Sequence, residues 1–264
     1  MDINLVGMRA LVCGSTAGIG RAAAVELAKL GAQLTLFARN REKLDATAGD
    51  LPDIEGGAHG VLQADFHDPD SVKRAIHGAV EGDDGATFHI LVNNTGGPPA
   101  GQAIDADPED FAKAFRLHLL ANQIITQAVV PGMKRAQYGR IINVISTSVK
   151  QPIPGLGVSN TIRGAVASWA KTLSQELGPH HITVNNVLPG FTDTERLGSL
   201  IETKAGKGNS TPDAVAEEMR RSVPLGRFAR PDEVGAAIAF LATPAAGYIN
   251  GINLPVDGGR LGTL

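Results

Sequence analysis

A strand pattern around Leu11 and Val12 is followed by six more short apolar runs: QLTLFA (33–38), GVLQAD (60–65), HILVNN (89–94), RIINVI (140–145), ITVNNVLP (182–189) and GINLPV (251–256). Helix-length material separates each run from the next. Regular alternation of this kind predicts parallel strands joined by helical crossovers, an α/β doubly wound sheet. No long linker, compositional break or internal repeat divides the chain, and 264 residues with 43% hydrophobic content suffice for a single domain spanning 1–264.

The first crossover carries the most specific local signal. RALVCGSTAGIGRAAAVELAKL runs from a strand pattern through a turn containing Gly14, Gly18 and Gly20 into a helical pattern from Ala22 to Leu30. Side chains in such a turn block a pyrophosphate from the backbone, so glycines expose the N–H groups and the positive end of the helix dipole. A tight strand-to-helix turn needing positive φ is the competing reading.

Composition removes other classes. Net charge is −3 and aromatic residues make up 4% of the chain, which offers neither the basic footprint nor the stacking platform of a nucleic-acid binder. Cys13 is the only cysteine, so an intrachain disulfide is impossible. MDINLVGMRA lacks a basic region followed by an apolar signal core, and no apolar run reaches spanning length. The expectation is a cytoplasmic protein that binds neither nucleic acid nor membrane. The histidines outside position 118 share no metal-ligand spacing, and no metal is expected.

Candidate binding residues stand at the ends of the predicted strands. Arg39 ends the second, where an acid would accept from a free ribose 2′-hydroxyl; a guanidinium instead suits a 2′-phosphate. A solvated arginine within ARNREK is the other reading. Asp65 ends the third strand, placed either to accept from an adenine amino group or to cap a helix. Asn93, Asn94, Thr95 and Gly96 end the fourth. After the sixth, residues 191–223 form a polar excursion containing TKAGKGNSTP, read as a substrate lid or as a solvated surface insertion. AGKG within it resembles half a phosphate loop but follows no strand.

CGSTAGIG, NNTG, PGFTDT (189–194), VPLGRFARPDEV (223–234) and LPVDGG (254–259) together resemble the short-chain dehydrogenase/reductase family over essentially the whole chain, and 3-oxoacyl-carrier-protein reductases within it. The resemblance implies a seven-stranded parallel sheet of Rossmann type, a nicotinamide cofactor across the carboxyl ends of the strands and commonly a homotetramer. Arg39 favours NADP(H) over NAD(H). By the same resemblance the cofactor contacts Gly14, Ser15, Thr16, Gly18, Ile19 and Gly20 of the turn, then Arg39, Asp65, Asn93, Thr95, Gly96 and Arg163, and finally Pro189, Gly190, Thr192 and Thr194.

The chain departs from the family where catalysis is expected. Ser146, in NVISTS, matches the family serine, but counting on by the family spacing reaches Ser159 in place of the tyrosine and Arg163 in place of the lysine. Tyr138 and Tyr248 lie in other motifs. His118 stands where the family has an asparagine that supports a proton relay, Cys13 where it has a threonine, and Thr95 where it has an alanine. The last two read as local repacking. His118 shares a helical stripe with Phe111, Phe115, Asn122 and Ile125, so it is either a group suited to proton exchange near neutrality or a packed core histidine.

Serine is a far weaker acid than tyrosine and arginine stays protonated, so the family's acid–base pair cannot operate. Positioned acid–base catalysis contributes about 10²- to 10⁴-fold, a loss that hydride transfer can survive. One reading is an NADP(H)-dependent oxidoreductase acting on a small carbonyl or alcohol through a Ser146, Ser159 and Arg163 donor cluster, with His118 nearby; such a cluster also suits a carboxylate. The alternative is a catalytically silent NADP(H)-binding protein, a sensor or an oligomer partner. A structural subunit that binds no cofactor is the third.

Overall fold

The strands form as β1 (Arg9–Cys13), β2 (Gln33–Ala38), β3 (Gly60–Gln63), β4 (Ile90–Asn93), β5 (Gly139–Val144), β6 (Ile182–Pro189) and β7 (Asn253–Val256). The computed structural model describes residues 1–54, 57–81 and 87–263. Its seven strands make one sheet of order β3-β2-β1-β4-β5-β6-β7, parallel at every pairing. Chain direction across the sheet reverses between β1 and β4, and this switch point opens a crevice at the strands' carboxyl ends.

The helices are α1 (Gly18–Lys29), α2 (Arg41–Gly49), α3 (Pro69–Glu81), α4 (Pro108–Phe115), α5 (Ala121–Ala136), α6 (Gly157–Leu177), α7 (Glu195–Gly208), α8 (Pro212–Arg221) and α9 (Pro231–Leu241). Apolar residues from α1, α2 and α9, among them Leu27, Leu44 and Ile238, cover one face of the sheet. Those of α3, α5 and α6, among them Ile76, Ile125, Met133 and Leu177, cover the other. Each large aliphatic side chain buried this way contributes roughly 1.5–3 kcal/mol, so both layers are held mainly by apolar burial. A Cβ on Gly235 of α9 would lie 2.8 Å from the Ala22 carbonyl carbon, so this glycine lets α9 close onto α1.

Strand register also lines up four amides. Asn93 pairs with Asn143, Asn143 with Asn186, and Asn186 with Asn253. Their side chains donate in one direction: Asn93 Nδ2 to Asn143 Oδ1 (2.9 Å), Asn143 Nδ2 to Asn186 Oδ1 (2.9 Å) and Asn186 Nδ2 to Asn253 Oδ1 (2.8 Å). The ladder crosses β4 to β7 and ends at Asn93 Oδ1, which is buried without a partner among the described residues.

Three local features differ from the sequence expectation. The first helix begins at Gly18, inside the glycine motif, because Gly18 and Gly20 take part in the helix as well as the turn. Residues 191–223 are chiefly a helical pair: Thr194 caps α7, Thr211 caps α8, and Leu197, Ala205, Val215 and Met219 form a small apolar cluster between them. The AGKG run is the end of α7, closed by Asn209 in the left-handed region (φ 51°), and is no phosphate loop. A π turn at Arg116–Leu120 interrupts the helical period between α4 and α5, which rotates Phe115 out of the expected stripe to 38% exposure while His118 stays buried.

Candidate active site

The glycine turn is built by exclusion of side chains. A Cβ on Gly14 would lie 2.5 Å from the Asn94 carbonyl oxygen, and one on Gly20 would lie 2.1 Å from the Gly14 oxygen. Gly14 and Gly18 also take positive φ (57° and 51°), a conformation that favours glycine. Asn94 Nδ2 donates to the carbonyls of Cys13 (3.4 Å) and Gly14 (3.2 Å), fastening the turn to the end of β4. Ser15 is fully buried in this turn and its hydroxyl has no partner among the described residues. Thr194 closes over the turn, its methyl 3.2 Å from the Cβ position of Gly18.

Beside the turn, Arg39, Asn40, Gln63, Ala64, Asp65 and Ser71 line an open cleft of about 510 Å³. Asn40 caps α2 and Arg41 pairs with Asp45, whereas the exposed Arg39 guanidinium makes no hydrogen bond or ion pair with a described residue. Asp65 Oδ1 accepts from the His67 N–H (2.9 Å) and bends the chain toward α3. The α3 cap is Asp68, which accepts from the N–H groups of Asp70 and Ser71, so the capping alternative for Asp65 does not hold.

Arg163 is the central charge of the crevice. It lies on α6 with 8% exposure, and its Nη1 donates to the Val144 carbonyl (2.9 Å) and its Nη2 to that of Thr95 (3.5 Å). Ser146 Oγ accepts from the Ser148 N–H (3.0 Å), which leaves its own proton free to donate. Ser159 precedes Arg163 by about one helical turn and is half-buried. Among the described residues these three make no hydrogen bonds to one another; Ser146 and Arg163 lie at the ends of β4 and β5, and Ser159 lies about one turn before Arg163 on α6. At the end of β6, Gly190 donates to Val256 and approaches Asp257 too closely for a Cβ (2.7 Å), and Thr192 is buried.

Electrostatics sort the candidates. Burial, with the nearby positive charges of Arg163 and His67, pushes the His118 imidazole down to about 2. Of the two readings of His118, the packed core histidine fits this better: its Nδ1 is 2.5 Å from Thr95 Oγ1 and its Nε2 is buried without a partner among the described residues. Arg163 is lowered to about 10, first by burial and then by Arg196, and remains a cation at neutral pH. Burial pushes the Cys13 thiol upward, the behaviour of an inert core cysteine. Neither tyrosine enters the crevice, since Tyr138 donates to the Ala242 carbonyl and Tyr248 is fully exposed.

One residue escaped the sequence reading. Arg196, in the first turn of α7, donates from Nη2 to the Pro98 carbonyl, and both its guanidinium and that of Arg163 come within 4 Å of the Cβ position at Gly97. No spacing rule links positions 163 and 196; only the course of the chain after β6 brings them together.

Similarity to known proteins agrees with this architecture. The family model described as enoyl-(acyl carrier protein) reductase matches residues 14–260. L-xylulose reductase of Cavia porcellus is 32% identical over 264 residues, covering 100% of both chains. The 3-oxoacyl-(acyl-carrier-protein) reductase FabG of Aquifex aeolicus (strain VF5) is 31% identical, covering 98% of this chain and 99% of the relative. Among solved structures, L-sorbose reductase from Gluconobacter frateurii, complexed with NADPH and L-sorbose, superposes with a TM-score of 0.92 at 29% identity over 100% of both chains. With its glycine turn at the switch point and its seven parallel strands, the chain belongs to the short-chain dehydrogenase/reductase family.

Proposed function

We propose that the protein is an NADP(H)-dependent oxidoreductase interconverting a small carbonyl compound and its alcohol, with Ser146, Ser159 and Arg163 in place of the family's serine, tyrosine and lysine. The observation that carries this reading is Arg163 itself: a buried cation held by backbone carbonyls at the ends of β4 and β5, at the position of the family lysine. The turn of Gly14, Gly18 and Gly20 excludes side chains as a pyrophosphate requires, and Ser15 offers a buried, unsatisfied hydroxyl there. Arg39 faces the cleft beyond β2 and would pair with a 2′-phosphate, which supports NADP(H) over NAD(H). Relatives whose names include NADPH, among them the L-sorbose reductase complex, support the same choice.

When bound, the cofactor supplies the hydride that adds to the carbonyl carbon. Ser146 and Ser159 donate hydrogen bonds to the carbonyl oxygen, and the Arg163 charge stabilises the negative charge that develops on it. Donors of this kind are worth about 10²- to 10³-fold each when preorganised. With His118 neutral and no phenol in the crevice, the proton that completes the alcohol comes from solvent through the serine hydroxyls. The α7–α8 pair acts as the lid, anchored by Arg196 to Pro98 and by Thr194 against Gly18. Spectrophotometry of NADPH across a panel of carbonyl compounds tests the reading. Turnover that falls about 100-fold or more in Arg163→Ala is expected. Measurable NADPH binding with no turnover on any carbonyl would leave the second reading, a silent cofactor-binding protein, which the absence of a phenol favours.

A further inference from the structure

Two guanidiniums converge on the same small space, and among the described residues no carboxylate pairs with either. Arg163 and Arg196 both approach the Cβ position at Gly97: Arg196 Nη2 at 3.7 Å and Nε at 3.9 Å, Arg163 Nη2 at 3.9 Å. Their protein partners are backbone carbonyls, those of Val144 and Thr95 for Arg163 and that of Pro98 for Arg196. Among the described residues neither forms an ion pair, although Arg21, Arg41, Arg116, Arg220, Arg221, Arg227 and Arg230 all do. Arg39 and Arg140 also lack an ion pair among the described residues; what sets Arg163 and Arg196 apart is that both reach the Cβ position of one glycine. Mutual repulsion is already felt, since the Arg196 charge helps lower Arg163.

A guanidinium has five N–H donors in a planar fork, and the carbonyl contacts leave donors on both side chains free. Gly97 carries no side chain, and an added Cβ there would sit in ordinary contact with both guanidiniums, so both reach one spot that the chain leaves unfilled. What fits there is a planar anion that accepts from both forks, and such charge-assisted pairs are strong in a partly desolvated site. We infer that Arg163 and Arg196 form a carboxylate clamp, and that the substrate is a carbonyl compound bearing a carboxylate. The clamp rests on the geometry alone; calling its ligand a substrate rests on the oxidoreductase reading above. Because Arg196 sits in the first turn of α7, binding of the carboxylate also ties the lid to the crevice, so the acid group orders the site as it orients the carbonyl.

Matched pairs of acetoacetate and methyl acetoacetate, and of 2-oxobutanoate and its methyl ester, test the clamp by kcat/KM with NADPH, alongside calorimetric titration of malonate into the protein. The expected result is a preference for the acids of 30-fold or more, falling at least 10-fold in Arg196→Gln, with malonate affinity lost in parallel. Arg135→Gln, an exposed control on α5, keeps the wild-type ratio. Esters used as well as acids overturn the inference, and so does malonate that competes with NADPH, which would assign the arginines to cofactor phosphate. If no carbonyl is turned over but malonate still binds and depends on Arg196, the clamp stands and the oxidoreductase reading falls.

Discussion

Thr95 Oγ1 lies 2.5 Å from Nδ1 of His118, so two positions that depart separately from the family pattern form one hydrogen-bonded pair. Threonine at 95 satisfies a nitrogen that the histidine at 118 brings into the interior, where an unpaired polar group costs about 1–3 kcal/mol. Each side chain supplies the other's hydrogen-bond partner.

That pairing has a pH consequence. Folded His118 stays neutral down to about pH 2, from an ordinary value of 6.5, while the unfolded chain takes up a proton near that ordinary value. Between the two the unfolded state binds more protons, so stability present above pH 6.5 is lost as pH falls, by up to about 1.4 kcal/mol per pH unit. Urea denaturation at pH 7.5 and pH 5 measures it. His118→Asn is expected to lose less stability over this interval than wild type; equal losses would assign the acid sensitivity to other groups.

The strands and the glycine turn were legible because their signals are local: a continuous apolar run for a strand buried on both faces, and glycines where a Cβ would strike Asn94 or Gly14. The family's spacing pointed to Ser146 and Arg163, and the latter lies at the ends of β4 and β5. Arg196 was not, because its place beside Gly97 depends on the path of 191–223, and that segment's polar composition hides two helices whose apolar contacts are mostly with each other. Burial of His118 was legible as one reading of its helical stripe, whereas the Arg163 charge that also lowers it was not. The amide ladder requires the register of four strands, and every neighbouring pair in it is separated in sequence by at least one crossover helix.

On the proposed function, Arg39 sets cofactor choice. Its guanidinium faces the cleft beyond β2 without a protein partner among the described residues, whereas an aspartate there would accept from a free 2′-hydroxyl and repel a 2′-phosphate. Losing a charge-assisted pair costs about 1.5–3 kcal/mol, or about 10- to 150-fold in affinity. Arg39→Asp is expected to weaken NADPH binding by that factor while leaving NADH affinity the same or better, as read by fluorescence titration. An unchanged NADPH-to-NADH ratio would remove Arg39 from the binding site.

The missing acid–base pair can be put back. Ser159 is half-buried about one turn from Arg163 on α6, so Ser159→Tyr with Arg163→Lys restores the family arrangement on a helix already in place. If proton supply limits turnover, the double variant gains about 10²-fold on a neutral ketone, the lower end of what a positioned acid contributes, and neither single variant does. An unchanged kcat in a folded double variant would show that chemistry is limited elsewhere.

The asparagine ladder predicts a gradient of stability rather than one value. Asn143 is fully buried, donates to Asn186 and accepts from Asn93, so Asn143→Leu leaves Asn93 Nδ2 and Asn186 Oδ1 without their partners. Two orphaned groups at about 1–3 kcal/mol each make this a severe substitution. Asn253 accepts only from Asn186 Nδ2 and is exposed, so water replaces it and Asn253→Leu is expected to cost less than about 1 kcal/mol. Urea midpoints of the two variants give the comparison directly. Equal losses would mean that the amides act as independent strand residues; a larger loss at 143 means that the four behave as one network, with β4 through β7 held by side-chain amides as well as by the backbone.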